Sequence, residues 1–174
     1  MGIDIHAFIE YVGPWGEYRS LAQGQLNLID DERIFKAIAF GDSGQTDALP
    51  VPPRNLPTDC SDDVRDSFLV DAREYSGAFG LVCDGESGDG SDEDITGDLA
   101  DWMRIEYRNN NRLPNPYYHT SSWLTLSEFE LSLSKAGLTM EDLKPDMRAA
   151  VASMRALVRD LGDDQVRLVF WFDG

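Results

Sequence analysis

The chain contains two histidines, and the first lies close to a carboxylate near the start of the chain. Asp4 and His6 are two residues apart in an alternating apolar segment, so on a β-strand their side chains would point to the same side. Two imidazoles and a carboxylate suit zinc or iron. Asp4, His6 and His119 are therefore a candidate divalent-metal site for a metal-dependent hydrolase, to which Asp59 or Asp173 could contribute. A structural histidine that hydrogen-bonds to its aspartate neighbour explains the first pair equally well.

Residues 104–123 form a segment in which basic and aromatic side chains are interleaved. Its arginines are Arg104, Arg108 and Arg112, against the single acid Glu106. Arginine binds phosphate or carboxylate through two parallel hydrogen bonds, and aromatic faces stack on nucleotide bases. The aromatic residues of the segment are Tyr107, Tyr117, Tyr118, His119 and Trp123. This pattern predicts a site for a small anionic, nucleotide-like ligand.

Two neighbouring features extend the predicted ligand site. Arg54 has prolines on both sides, which favour an extended backbone, and the helix that begins after Thr125 offers free N–H groups to an anion. The predicted ligand-binding residues are Asp4, His6, Arg54, Arg112, His119, Ser122 and Trp123. The alternative is that the arginines pair with carboxylates such as Asp98 and Asp101, while the tyrosines pack in the core.

Nucleophilic catalysis has little support in the sequence. Ser121 and Ser122 lie close to His119, but no nucleophile-elbow glycine pattern surrounds them. The chain also has no phosphate-binding glycine-rich loop. Catalytic residues are therefore left unassigned, and the question of whether the protein is an enzyme stays open.

The formal net charge is -17 and the sequence pI is about 4.2. Such a charge repels nucleic acids and anionic membranes, so neither is an expected direct partner. It could attract a basic protein surface, including one that normally binds nucleic acid. The alternative is that the acidic surface is solvated and binds no partner. Because the chain shows neither an 18-residue apolar run nor a signal-peptide pattern, a cytoplasmic location is expected.

Hydrophobic periodicity predicts a single α+β domain over residues 1–174. Its sheet would be mixed or antiparallel, with the N- and C-terminal strands adjacent, and about four to five helices would pack on it. Predicted strands lie at 2–12, 18–21, 78–83 and 165–173, and predicted helices at 31–39, 62–75, 98–108, 125–135 and 145–161. These elements would position the candidate site at the polar end of the first strand.

Three segments are predicted to be loops. The first, 42–59, is rich in proline and contains Arg54; long loops of this kind are often functional. The second, 84–98, combines carboxylates with glycines, but no window of it fits the calcium-binding EF-hand register. A mobile acidic loop is the better interpretation of 84–98. The third predicted loop covers 109–122.

Four short segments resemble a family of small phage and bacterial proteins. They are MGxDIH at 1–6, RxLPxDxS at 54–61, HxxSWLTL at 119–126 and VRLVFWFD at 166–173. The chain departs from the pattern by Ile3 in place of a cysteine and by the acidic insert at 84–98. The resemblance implies no established activity; it implies a phage accessory role, of which counter-defence is a common kind.

The sequence leaves three functional hypotheses. The first is a counter-defence protein that binds a small anionic, nucleotide-like ligand in the Asp/His/Arg/Trp site. The second is an acidic inhibitor that mimics nucleic acid and occupies the basic groove of a host defence complex, such as a CRISPR or restriction system. The third is the metal-dependent hydrolase.

Overall fold

A computed structural model of the protein describes residues 4–21, 26–28, 32–40, 49–73 and 101–173. In these residues the strands are β1 (Asp4–Val12), β2 (Tyr18–Ser20), β3 (Leu26–Leu28), β4 (Leu69–Asp71), β5 (Arg112–Pro114), β6 (Tyr118–Thr125) and β7 (Val166–Asp173). The α-helices are α1 (Glu32–Phe35), α2 (Asp62–Phe68), α3 (Asp101–Asn110), α4 (Leu126–Lys135) and α5 (Pro145–Leu161). A π-helical turn (Lys36–Phe40) extends α1, and 3₁₀ turns occupy Met140–Asp142 and Asp163–Gln165.

The chain divides into two compact units, Met1–Val64 with Tyr118–Gly174 and Arg65–Tyr117. The first unit contains a five-stranded antiparallel sheet in which β1 lies between β7 and the two short strands β2 and β3, and β7 lies between β1 and β6. This arrangement confirms the predicted α+β class. The prediction that residues 1–174 form one domain stays a prediction.

The terminal strands β1 and β7 are neighbours along their length, as the sequence predicts. Their antiparallel register places Asp4 opposite Asp173 and Tyr11 opposite Val166. Strand alternation then sends every second side chain to the same face. On one face, α1, α4 and α5 contribute to a single buried cluster with the strands. Its sheet residues include Ile5, Ala7, Ile9, Leu124, Val166, Leu168, Phe170 and Phe172.

The two long helices of the first unit begin and end where local sequence signals place them. At the start of α4, the Glu128 backbone N–H donates to Thr125 Oγ1 (3.4 Å), and the Thr125 N–H donates to Glu128 Oε2 (3.0 Å). These reciprocal bonds form a capping box. Helix α5 begins with Pro145 and ends before Gly162, whose φ of 102° favours glycine.

Two predicted elements in the middle of the chain are wrong. The helix expected at 62–75 ends at Phe68, because the next residues pair with β5 and place Val70 opposite Leu113. The loop expected at 109–122 instead contains β5 and most of β6. A register irregularity between His119 and Ser122 interrupts the alternation of apolar and polar side chains by which a strand is predicted. For this reason the sequence pattern did not indicate β6.

The second unit is a small α+β arrangement of β4, β5 and α3. Arg112 begins β5, and its guanidinium donates to Asp66 Oδ1 (2.7 Å) and to the Leu69 carbonyl (3.3 Å). Asn111, with a φ of 54°, donates through its side chain to Asp71 (3.0 Å). Arg65 lies over the ring of Trp102 at 5.3 Å.

Some predictions fall outside the described residues, namely the strand at 78–83, the acidic loop at 84–98 and the first half of the proline-rich loop. Within the described part of the chain, none of the helices has the length and apolar character needed to cross a membrane.

Candidate functional site

One face of the large sheet points away from α1, α4 and α5 and carries charged side chains among its apolar ones. We call it the second face; on β1 and β7 its residues are Asp4, His6, Phe8, Glu10, Arg167, Val169, Trp171 and Asp173. Residues 54–61 run beside this sheet. The Arg54 N–H donates to Ser122 Oγ (3.0 Å), and the Ser61 N–H donates to Glu10 Oε1 (2.6 Å).

Glu10 and Arg167 form a buried ion pair across β1 and β7. They are opposite each other in the register, and the Arg167 Nε–H donates to Glu10 Oε2 (2.8 Å). Both side chains are almost inaccessible to solvent. The second guanidinium nitrogen, Nη1, donates to Asp59 Oδ1 (2.9 Å). Burial of a charge is unfavourable unless it is paired and hydrogen-bonded, and Ser61 and Asp59 supply further hydrogen bonds to this pair, although Arg167 Nη2 is buried without a hydrogen-bond partner among the described residues.

Aromatic rings flank the buried guanidinium. Arg167 Cζ lies 3.5 Å from the ring centroid of Tyr18 and 5.7 Å from that of Trp123. A second guanidinium, that of Arg54, lies 4.4 Å from the same Trp123 ring. Both distances on Trp123 are within the range of a cation–π attraction. We call Tyr18, Arg167, Trp123 and Arg54 the arginine–aromatic cluster.

Tyr18 has an altered acidity in this cluster. Partial burial raises the pKa of its phenol above the ordinary value of 10.0. The positive charge of Arg167 opposes the shift, while the carboxylates of Asp59 and Glu10 add to it. The Tyr18 phenol therefore stays protonated at neutral pH. Its hydroxyl donates a hydrogen bond to the Asp164 carbonyl oxygen (3.5 Å).

The arginines of the predicted anion site already have carboxylate partners. Arg54 donates to both carboxylate oxygens of Glu128, through Nη1 to Oε2 (3.1 Å) and through Nη2 to Oε1. Arg112 donates to Asp66 in the second unit. For Arg54 and Arg112 the alternative interpretation, in which the arginines pair with carboxylates of the same chain, is correct. Their partners, Glu128 and Asp66, differ from the expected Asp98 and Asp101. An anionic ligand would have to displace a carboxylate to bind Arg54.

His6 lies on the second face, four residues before Glu10 on β1 and so roughly 13 Å from it along the strand. Its Nε2 is 2.9 Å from Asp173 Oδ2, a contact whose angles fall outside hydrogen-bond geometry. The imidazole stacks on Trp171 (6.0 Å between centroids) and contacts Tyr118 (5.1 Å). His6 is thus packed between rings and faces the carboxylate of the other terminal strand, rather than that of Asp4.

The expected convergence of the two histidines is wrong. His6 is opposite Trp171 and His119 is opposite Phe172, and consecutive residues of β7 point to opposite faces. His119 accordingly stacks on Phe172 of the helix-covered face (6.1 Å) and is exposed at its edge. The metal set of Asp4, His6 and His119 therefore does not assemble. Among the described residues no group of three or more histidines, cysteines and carboxylates could hold a metal ion.

Of the seven predicted ligand-binding residues, the structure brings together Arg54, Ser122 and Trp123. The others are dispersed: His119 on the opposite face, Arg112 in the second unit, and Asp4 and His6 towards the far end of β1 from the arginine–aromatic cluster. Sequence analysis missed the site residues Glu10, Tyr18, Glu128 and Arg167, and it considered Asp59 only as a possible metal ligand. A signal existed for Glu10 and Arg167, because each is a charged residue with apolar or aromatic neighbours on both sides in its strand.

No protein-family model, curated protein or solved structure matches this chain. The resemblance to phage and bacterial proteins drawn from short segments therefore stays a prediction.

Removing either partner of the buried pair is expected to destabilise the first unit strongly. Glu10→Ala and Arg167→Ala should each lower the free energy of unfolding by about 3–5 kcal/mol, because each leaves a buried charge unpaired. The double variant Glu10→Leu/Arg167→Met should lower the free energy of unfolding much less than either single variant. The control Glu130→Ala, which breaks the exposed pair with Arg155, should cost about 0–1 kcal/mol. Urea unfolding measures all four, and equal losses for Glu10→Ala and Glu130→Ala would contradict this energetic role.

Ionisation of Tyr18 is expected to destabilise the fold at alkaline pH. Its folded-state pKa lies above the unfolded value of 10.0, so its contribution is fully present below about pH 10 and is lost as pH rises through the folded-state pKa. Tyr18→Phe should remove a component above pH 10 from the tyrosinate absorbance titration and make stability less dependent on alkaline pH. Tyr117→Phe, at an exposed tyrosine, is the control. An unchanged titration in Tyr18→Phe would refute the assignment.

Proposed function

We propose that the protein is an acidic inhibitor that binds the basic, nucleic-acid-binding surface of another protein. The observation that carries this proposal is the internal pairing of its cations. At least eight of the fifteen lysines and arginines lie within ion-pair distance of a carboxylate of the same chain. The excess negative charge of -17 then dominates the field that an approaching partner meets.

The acidic charge is also unevenly distributed along the chain. Residues 84–98 carry seven carboxylates and no lysine or arginine. Nucleic acid is recognised through closely spaced negative charges, and a protein groove that binds it is rich in arginine and lysine. A dense run of carboxylates attracts such a groove by the same long-range force and accelerates association.

The resemblance to small phage proteins directs the proposal toward a host defence complex in the bacterial cytoplasm. Effectors of CRISPR and restriction systems hold nucleic acid in positively charged channels. A carboxylate-rich protein in that channel would exclude the nucleic acid without any chemical reaction. Binding, rather than turnover, would then be the activity.

A capture experiment tests this function. The purified protein, used as bait in bacterial lysate, should retain a nucleic-acid-binding protein, and should lower that protein's affinity for labelled duplex DNA in an anisotropy assay. Replacing the seven carboxylates of 84–98 by amides should slow association by at least about tenfold, as should raised salt. Arg54→Ala should leave binding unchanged. The proposal would be overturned if association were insensitive both to the loss of the carboxylates and to salt. It would also be overturned if the captured protein kept its full affinity for DNA.

A second candidate function is the binding of a small anionic ligand beside Trp123. It is supported by the convergence of the Arg54 backbone N–H on Ser122 and of the Arg54 guanidinium on Trp123. A phosphate could take the place of the Glu128 carboxylate on the guanidinium while a base stacks on the indole. The displaced carboxylate makes this binding weaker than it would be at a free arginine.

A thermal-shift screen with linear and cyclic nucleotides tests the second candidate. A ligand that binds here should raise the melting temperature of the natural protein in proportion to its saturation. The shift should disappear in Arg54→Ala and persist in Arg155→Ala, since Arg155 makes the same kind of exposed pair elsewhere. The absence of any shift, or a shift that survives Arg54→Ala, would exclude this site.

A further inference from the structure

The most exposed large apolar side chain in the described residues is Trp15, at the tip of the hairpin between β1 and β2. It is 83% exposed, whereas Trp171 in the same unit is fully buried. Tryptophan offers a large apolar surface with a polar N–H and is strongly enriched among residues that dominate protein–protein affinity. An indole held this far out of the fold contributes little to the core.

The turn that presents Trp15 is held rigidly. The Gly13 N–H donates to the Glu17 carbonyl (2.7 Å), and the Gly16 N–H donates to the Gly13 carbonyl (3.0 Å). Gly16 has a φ of 87°, and a Cβ at position 13 would lie 2.8 Å from Glu17 Oε1. The positive φ therefore favours glycine at position 16, whereas a Cβ at position 13 would require the exposed Glu17 and Arg19 side chains to move. A preorganised turn reduces the entropy lost when its tip binds.

The indole also has a charged neighbour that limits its motion. The Arg19 guanidinium lies 5.1 Å from the Trp15 ring centroid, and its Nε–H donates to Glu17 Oε1 (2.5 Å). This cation–π contact and the ion pair hold the three side chains on one strand end. The ring remains open to solvent despite the contact.

Carboxylates dominate the surroundings of the hairpin. Ser20 donates to Asp63, and Tyr18 lies in the field of other acids. Besides the buried Glu10, the carboxylates in direct contact with residues 17–20 or in their electrostatic field are Glu17, Asp59, Asp63 and Asp164. The guanidinium groups that oppose them here are those of Arg19 and Arg167. Charge complementarity therefore selects a basic protein surface as the occupant.

We propose that Trp15 is the anchor residue of the inhibitor and inserts into an apolar pocket bordered by lysine or arginine on the partner protein. The inference rests on the proposed inhibitory function and adds the point of contact to it. Long-range attraction by the carboxylates would set the rate of encounter, and the buried indole would set the rate of dissociation.

Parallel capture with four baits tests the anchor: the natural protein, Trp15→Ala, Trp15→Phe and the control Leu161→Ala, which truncates an exposed leucine on α5. Binding of the nucleic-acid-binding protein retained by the natural bait is then measured for each variant by surface plasmon resonance, which gives both rate constants and the affinity. Trp15→Ala should weaken binding at least about 30-fold, mainly through faster dissociation. Trp15→Phe should recover most of the affinity, and Leu161→Ala should bind normally. Circular dichroism of each bait confirms that it is folded.

The possible results test the anchor residue and the inhibitory function separately. Undiminished binding by folded Trp15→Ala, together with slow association by the 84–98 amide variant, would overturn the anchor and leave the inhibitory function in place. Equal weakening by Trp15→Ala and Leu161→Ala would also overturn the anchor. Failure of the natural bait to retain any nucleic-acid-binding protein would overturn both.

Discussion

The buried pair of Glu10 and Arg167 is the constraint on which the first unit depends. It lies between the two terminal strands, so it exists only when both ends of the chain have assembled in the correct register. A shift by one residue would move each charge to the opposite face, into the apolar cluster under the helices. The register that pairs the charges is also the one that buries the apolar residues of both strands.

The same pair organises the segment that runs beside the sheet. Glu10 accepts the Ser61 N–H and Arg167 binds Asp59, so residues 59–61 are attached to the sheet through ionic hydrogen bonds. Arg54 attaches the start of this segment through Ser122 and Glu128. Of these two guanidinium groups, the sequence alone suggested that of Arg54 for a ligand. A structural need for paired charges thereby reduces the cationic surface and leaves an acidic exterior.

The alternation of side chains along β7 decides which residues can act together on one face of the sheet. Because Trp171 and Phe172 point to opposite faces, the histidines beside them are separated by the thickness of the sheet. The interaction of His6 is instead with Asp173, which the pairing of the terminal strands brings close. Asp4, His6 and His119 therefore form no metal-ligand set among the described residues, and exposed features such as the Trp15 hairpin are more informative than the histidines.

The sequence by itself determined the local features of this protein. Alternating strands at both ends, the capping box at Thr125, the start and end of α5 and the large negative charge all depend on residues close together in the chain, whose preferences are visible in the pattern. Strands β4 and β5 were missed because short strands exist through pairing with a distant partner, and β6 because an irregularity interrupts its alternation. The partners of each arginine were decided by tertiary structure alone, since an ion pair such as Glu10 with Arg167 joins residues that only the folded register makes neighbours.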